Sequence, residues 1–292
     1  MTAAPTRLVG DGNPTRTAET AAASASPTFT ESPVTPTSTV LPAIATPAPP
    51  SPTRTLRPTP LPYGEYHVPI LTYHRIVPLA DAGQAANSLL IPPDIFAAQM
   101  QALYEAGWRT TTLGEFAQGM ADGKALPSRV FVITIDDGWW DGYTYAYPVM
   151  HKYGFVATYF VISSRIDEKG FLSSGELQEL QAAGNEIGNH TTNHVSLQAV
   201  NLAGAKAEVD GASDKIAAVT GRRPVSFSYP MGRINGVALE AVSECPGLKI
   251  AVTKTSGVTE SWHTRFYSPR VRVDPDTNPD RLVADLTARI GL

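Results

Sequence analysis

A lone cysteine, Cys245, excludes an intrachain disulfide and any paired-cysteine metal site. It reads as a small packed apolar residue. No apolar run is long enough for a transmembrane helix, which needs about 18 residues or more. Positive charge is in short supply. The 23 Lys and Arg are outnumbered by 27 Asp and Glu, a formal charge of −4. With no basic footprint, nucleic acid is not expected as a partner. Aromatic residues are missing from the first 62 positions except for Phe29.

Those first 62 residues instead hold about half of the 25 prolines, together with abundant Thr, Ser and Ala. Such a segment cannot bury enough apolar surface to offset its ordering entropy. Residues 1–62 are therefore expected to be a disordered linker, with stiff stretches such as Thr46-Pro47-Ala48-Pro49-Pro50-Ser51-Pro52. The domain is expected to span residues 63–292. A spacer of this kind resembles those that hold surface enzymes off a membrane or wall. That points to an extracytoplasmic or cell-surface protein, with the linker as a candidate tether. No signal peptide is visible after Met1, and an upstream start would reconcile the two readings.

The domain is organised around Val130-Phe131-Val132-Ile133-Thr134-Ile135-Asp136-Asp137-Gly138. An almost wholly apolar, β-rich run reads as a strand of a parallel sheet covered on both faces. In α/β folds the polar residues just past such a strand sit on the active face. Neighbouring side chains on an extended chain diverge, so one Asp can bind a metal while the other stays free as a base. A strand-to-helix turn would account for Asp-Asp-Gly equally well. A second polar cluster after a strand, His190-Thr191-Thr192-Asn193-His194, changes the balance. On one helical turn, two histidines spaced i, i+4 would face one ion, and taken alone the pair suits two satisfied structural histidines equally well. Two imidazoles and a carboxylate leave positions open for water and substrate and suit Zn²⁺.

Strands and helices alternate from Val68 to Ile290. Helices are expected over 94–106, 113–121, 143–153 (broken by Pro148), 174–183, 197–219, 235–244 and 279–290. Strands are expected over 68–73, 130–135, 156–162, 185–188, 225–229, 249–253 and 267–273. Repeated βα units imply a mainly parallel sheet. An α/β fold, an irregular (β/α) barrel of six to seven parallel strands, is the first choice and an open doubly wound sheet the second.

The two clusters resemble the first two motifs of the polysaccharide deacetylases, the NodB-homology or carbohydrate esterase family four domain. The resemblance runs over about residues 66–275. It implies a metal-dependent hydrolase that removes N-acetyl groups from an acetylated polysaccharide. Asp136 would be the catalytic base, and Asp137, His190 and His194 would hold Zn²⁺, with Co²⁺, Ni²⁺ or Fe²⁺ as alternatives. The third motif departs from the family's pattern: Phe227-Ser228-Tyr229-Pro230-Met231-Gly232 has Ser228 in place of the usual Arg and Met231 in place of Tyr. The Met231 amide could still donate to an oxyanion. Arg270, also after a strand, is the natural substitute for the missing arginine; a surface ion pair is the competing reading. The family's late histidine is absent, but Ile70-Leu71-Thr72-Tyr73-His74 resembles the subgroup that deacetylates poly-β-1,6-N-acetylglucosamine, whose motifs are circularly shifted. His74 would then be the general acid. Of Trp139 and Trp140, one is expected to stack on sugar and one to pack in the core, and Asp141 is expected to cap the next helix. His67, His151 and His263 read as surface or packing residues. A monomer is expected. Two rivals remain: a hydrolase of a small amide or acetyl ester on the same barrel, and a non-catalytic carbohydrate-binding module.

Overall fold

The computed structural model describes residues 64–81 and 89–292. The expected linker, and the boundary near residue 62, lie outside the described residues.

Seven strands form the sheet: β1 (Ile70–Tyr73), β2 (Val130–Ile135), β3 (Ala157–Val161), β4 (Glu186–Asn189), β5 (Ser226–Ser228), β6 (Ile250–Ser256) and β7 (Ser268–Arg272). Each pairs in parallel with the next in sequence. β7 then pairs with β1 and closes the ring. This is the barrel expected from sequence, at the upper strand number, and the open sheet is excluded. A two-residue strand, Arg109–Thr110, adds to β2 from outside the ring.

Alternation along the strands divides the apolar residues into two sets. Ile70, Val130, Val132, Phe160, Ile250 and Val252 pack together with α2 (Leu113–Ala121) through Leu113, Phe116, Ala117 and Met120. Leu71, Tyr73, Phe131, Ile133 and Ile135 face the opposite way, toward α1 (Pro93–Glu105), α3 (Tyr147–Lys152) and α7 (Pro279–Arg289). The N-terminus of α2 meets the starts of β3 and β4. The Leu113 N–H donates to Thr158 Oγ1 at 2.9 Å and the Gly114 N–H to Glu186 Oε2 at 2.6 Å. α2 thus plugs the end of the barrel opposite the strands' carboxyl termini. The remaining helices are α4 (Ser174–Ala182), α5 (Leu202–Thr220) and α6 (Gly236–Ser243).

The helices begin and end where capping chemistry places them. Thr112 and Ser173 form capping boxes with Glu115 and Glu176. Gly221 closes α5 in the left-handed region at φ 73°. One expectation is corrected: Pro148 does not break its helix. A π-helical turn over Gly142–Ala146 runs directly into α3, and Pro148 sits just after that turn, whose widened ladder accommodates it.

Candidate active site

All the singled-out residues stand on one face, because parallel strands present their carboxyl ends together. His74 follows β1, Asp136 and Asp137 follow β2, His190 follows β4, and Met231 lies in the turn after β5. Arg270 is in β7. Together with Tyr73, Tyr229, Lys254 and Arg272 they line one cleft of about 340 Å³.

The two aspartates diverge as adjacent residues should. Asp136 is buried and turned toward Arg270. Arg270 Nη1 donates to Asp136 Oδ1 at 2.9 Å and Nη2 to Oδ2 at 2.8 Å, a bidentate pair. The Ser228 hydroxyl adds a bond to Oδ2 at 3.2 Å. Burial alone would raise the Asp136 carboxyl, but the Arg270 charge and its hydrogen bonds outweigh this and hold it well below the ordinary carboxylate range. Arg270 is itself buried and fixed by the Thr253 carbonyl at 2.8 Å and Thr134 Oγ1 at 3.1 Å. It therefore occupies the interior rather than a surface ion pair. Ser228, where an arginine was missing, contributes a hydroxyl to the same carboxylate.

Asp137 takes a positive φ of 75°, which swings its carboxylate the other way. Its Oδ1 lies 3.4 Å from His190 Nε2 and 3.5 Å from His194 Nε2. One ligand atom from each of the three residues lies within 4.8 Å of the others. Tetrahedral bonds of 2.0–2.1 Å would set ligand atoms roughly 3.3–3.4 Å apart, so the donor set fits a small divalent ion. Tautomer assignment points the same way. His190 Nδ1 is 2.7 Å from the Ser228 carbonyl, which requires it to be the N–H donor and leaves the Nε2 lone pair free.

The histidine pair does not sit on a helical turn, contrary to expectation. Residues 190–194 form a tight loop with positive φ at Thr191 (66°) and His194 (57°). Thr191 Oγ1 accepts the His194 N–H at 2.9 Å, and Asn189 Oδ1 accepts the Thr191 N–H at 2.8 Å. Glu208 on α5 binds Asn193 through its main-chain and side-chain nitrogens at 2.8 and 2.7 Å. The imidazoles converge because the loop is folded back.

His74 Nε2 is 3.9 Å from Asp136 Oδ2. Burial lowers its pKa below the usual histidine value, with Asp136 and Asp137 opposing the shift. Met231 has φ 58° and is 51 % exposed on the cleft rim. Two expectations for neighbouring residues are corrected. Neither Trp139 nor Trp140 lines the cleft. Trp139 stacks on Phe171 at 4.3 Å, and Trp140 packs on Tyr145. Asp141 makes no capping bond to the following turn. It is buried, paired with Arg75, and accepts the Ile76 N–H at 2.9 Å. No local pattern signals that contact, since 66 residues separate its partners.

A closed seven-strand barrel with these clusters on its carboxyl face is the architecture of the barrel deacetylases. A family model described as polysaccharide deacetylase matches residues 123–248. The Bacillus subtilis protein YxkH, whose name places it among the polysaccharide deacetylases, is 32 % identical over 208 residues, 71 % of this chain and 72 % of its own. The chain belongs to the polysaccharide deacetylase family, a family of hydrolases. Staphylococcus aureus poly-beta-1,6-N-acetyl-D-glucosamine N-deacetylase is 24 % identical over 242 residues, 75 % of this chain and 83 % of its own. Among solved structures, the Streptococcus pyogenes deacetylase PplD, in complex with acetate, superposes with a TM-score of 0.71 at 25 % identity, over 77 % of this chain and 99 % of that one. IcaB from Ammonifex degensii shares the fold, with a TM-score of 0.66 at 23 % identity over 77 % and 98 %.

Proposed function

We propose that this protein is a metal-dependent N-deacetylase of polysaccharide containing N-acetylglucosamine. The observation that carries the reading is the division of labour between adjacent carboxylates. Asp137 is aimed at two imidazole nitrogens, whereas Asp136, one residue away, is locked onto a buried arginine.

Asp137, His190 and His194 would hold the ion, with Zn²⁺ as first choice and Co²⁺, Ni²⁺ or Fe²⁺ as alternatives. Such an ion, when bound, polarises the acetamide carbonyl and lowers the pKa of water. Asp136, kept ionised by Arg270, accepts the proton of the attacking water. The Met231 N–H donates to the oxyanion that forms on the carbonyl oxygen. His74 delivers a proton to the nitrogen as the C–N bond breaks, and acetate and an amino sugar leave. Arg270, itself anchored by Thr253 and Thr134, acts through Asp136 by orienting its carboxylate.

The S. aureus relative's name supports a β-1,6-linked N-acetylglucosamine polymer as the substrate. A second reading is a small amide or acetyl ester: among the described residues the aromatics lining the cleft are Tyr73 and Tyr229, both buried. A purely carbohydrate-binding role needs neither a base held ionised nor an acid beside it. The protein is read as an extracytoplasmic or cell-surface monomer, on the composition of residues 1–62 and on relatives whose names carry polysaccharide substrates. No helix among the described residues is long and apolar enough to cross a membrane.

The test is acetate release from β-1,6- and β-1,4-linked N-acetylglucosamine oligomers, peptidoglycan, acetylxylan and small acetamides, before and after chelation. Chelator-sensitive release from an N-acetylglucosamine oligomer is expected. Release from small acetamides alone would move the assignment to the second reading, and none from any compound would reject deacetylation.

A further inference from the structure

Asp137 Oδ1 points at the imidazoles; its other oxygen is also engaged. The Trp139 indole N–H donates to Asp137 Oδ2 at 3.2 Å. That bond engages Oδ2 while Oδ1 faces the imidazoles, on a residue whose backbone sits in the sparsely populated left-handed region. The ring making it is held by its neighbours. Phe171 stacks on it with centroids 4.3 Å apart and planes 22° from parallel. The Arg75 guanidinium lies over it, 4.4 Å from the centroid. Arg75 is tied to Asp141, which is fully buried and also accepts the Ile76 N–H at 2.9 Å.

A single carboxylate therefore braces two segments. One is residues 75–76, immediately after His74. The other is residues 137–141, which carry the proposed metal ligand. We propose that Trp139, Arg75 and Asp141 are positioning residues, and that the indole N–H aims Asp137 Oδ1 into the His190–His194 pair. Through Arg75 the same unit fixes the distance between the metal-binding side of the cleft and His74. Carboxylates that bind metals are generally oriented by such hydrogen bonds, and losing one typically weakens metal binding 10–100-fold. Here the donor is an indole whose own orientation depends on a buried ion pair.

The inference rests on the metal site read above, and the two fail differently. Zn²⁺ binding to the chelator-stripped full chain is measured by competition with a chromophoric chelator. If the wild type binds no Zn²⁺, the metal-site reading fails. If it binds, Trp139→Phe tests the inference, because phenylalanine keeps an aromatic ring between Phe171 and Arg75 and removes the N–H donor; the melting temperature reads any effect of the smaller ring. The expected result is a dissociation constant raised about 10–100-fold, with the melting temperature of the stripped protein nearly unchanged. A constant within about twofold of wild type would overturn the role of Trp139.

Asp141→Asn, which removes the charge that holds Arg75, tests the link to His74. It is expected to slow hydrolysis of an acetamide more than that of an activated acetyl ester, whose leaving group needs no proton. Equal slowing of both substrates would overturn that link. If Asp141→Asn does not fold, Arg75→Gln, which leaves Asp141 in place, takes the same comparison with the same two outcomes.

Discussion

At the scale of single residues, the proposed site divides into groups assigned to act on protons and groups assigned to hold them in place. His74→Ala is expected to lower kcat for an acetamide by roughly 10²–10⁴-fold while leaving metal content unchanged. The loss should be smaller for an activated acetyl ester. Equal losses, with a lower melting temperature, would return His74 to a packing role. Arg270 is the counter-case, because its effect passes through Asp136. A carboxylate whose folded pKa is depressed stabilises the fold above its unfolded value of about 3.9, and loses that contribution only as the pH falls through the lower folded value. Arg270→Met would strand the buried Asp136 charge, at a cost of roughly 3–5 kcal/mol at pH 7. The deficit should shrink toward pH 4, where Asp136 in the variant can take up a proton. Urea unfolding at the two pH values measures this, and a deficit below about 1 kcal/mol at pH 7 would show that the pair contributes little net stability. The sequence named both residues, His74 from its place after an apolar strand and Arg270 from a gap in the third motif. The Trp139–Asp137 bond lay two residues from a named carboxylate, yet a Trp-Trp pair does not reveal which ring turns inward.

At the scale of elements, the seven barrel strands and the positions of the seven α-helices were legible, because apolar runs, caps and terminal glycines set them locally. The two-residue strands were not, since a pair such as Arg109–Thr110 has no period to detect. The histidine loop was misread as a helical turn. Spacing i, i+4 suits both shapes, and the folded-back loop is held by Asn189 on Thr191, Thr191 on His194 and Glu208 on Asn193, contacts that residue type alone does not show. The turn after β5 makes a sharper demand. Gly232 has φ 62°, and a Cβ there would fall 2.4 Å from Lys254 Cβ and 2.6 Å from the Lys254 main-chain nitrogen. Gly232→Ala should therefore cost about 1–3 kcal/mol. It should also reduce turnover more than metal affinity, because it displaces Met231 and leaves the ligand loop alone. Unchanged thermal unfolding and turnover would show that the turn relaxes freely.

At the scale of the whole molecule, the base of the barrel carries its own titration. Glu260, paired with Tyr66 in a short antiparallel ladder, is fully buried, and burial pushes its carboxyl up to about 8. A carboxyl raised in the folded state is neutral there but ionised in the unfolded chain. The domain should therefore lose stability as pH rises from about 4.5 to about 8, by at most about 1.4 kcal/mol per pH unit from this group. Glu260→Gln should flatten that slope, and an unchanged slope in chemical unfolding would rule the group out as its source. A chain beginning near Tyr63 is expected to keep its melting temperature and turnover, since the composition of residues 1–62 offers no core; a large loss of either would show that the segment packs on the domain. Ring closure between β7 and β1 also bears on synthesis. Asp136 leaves the ribosome early and Arg270 more than a hundred residues later. Until the final strand docks, the barrel has an open edge and the carboxylate lacks its counter-charge. The nascent chain is thus held short of both a finished fold and a working site, and one late docking event completes the two together.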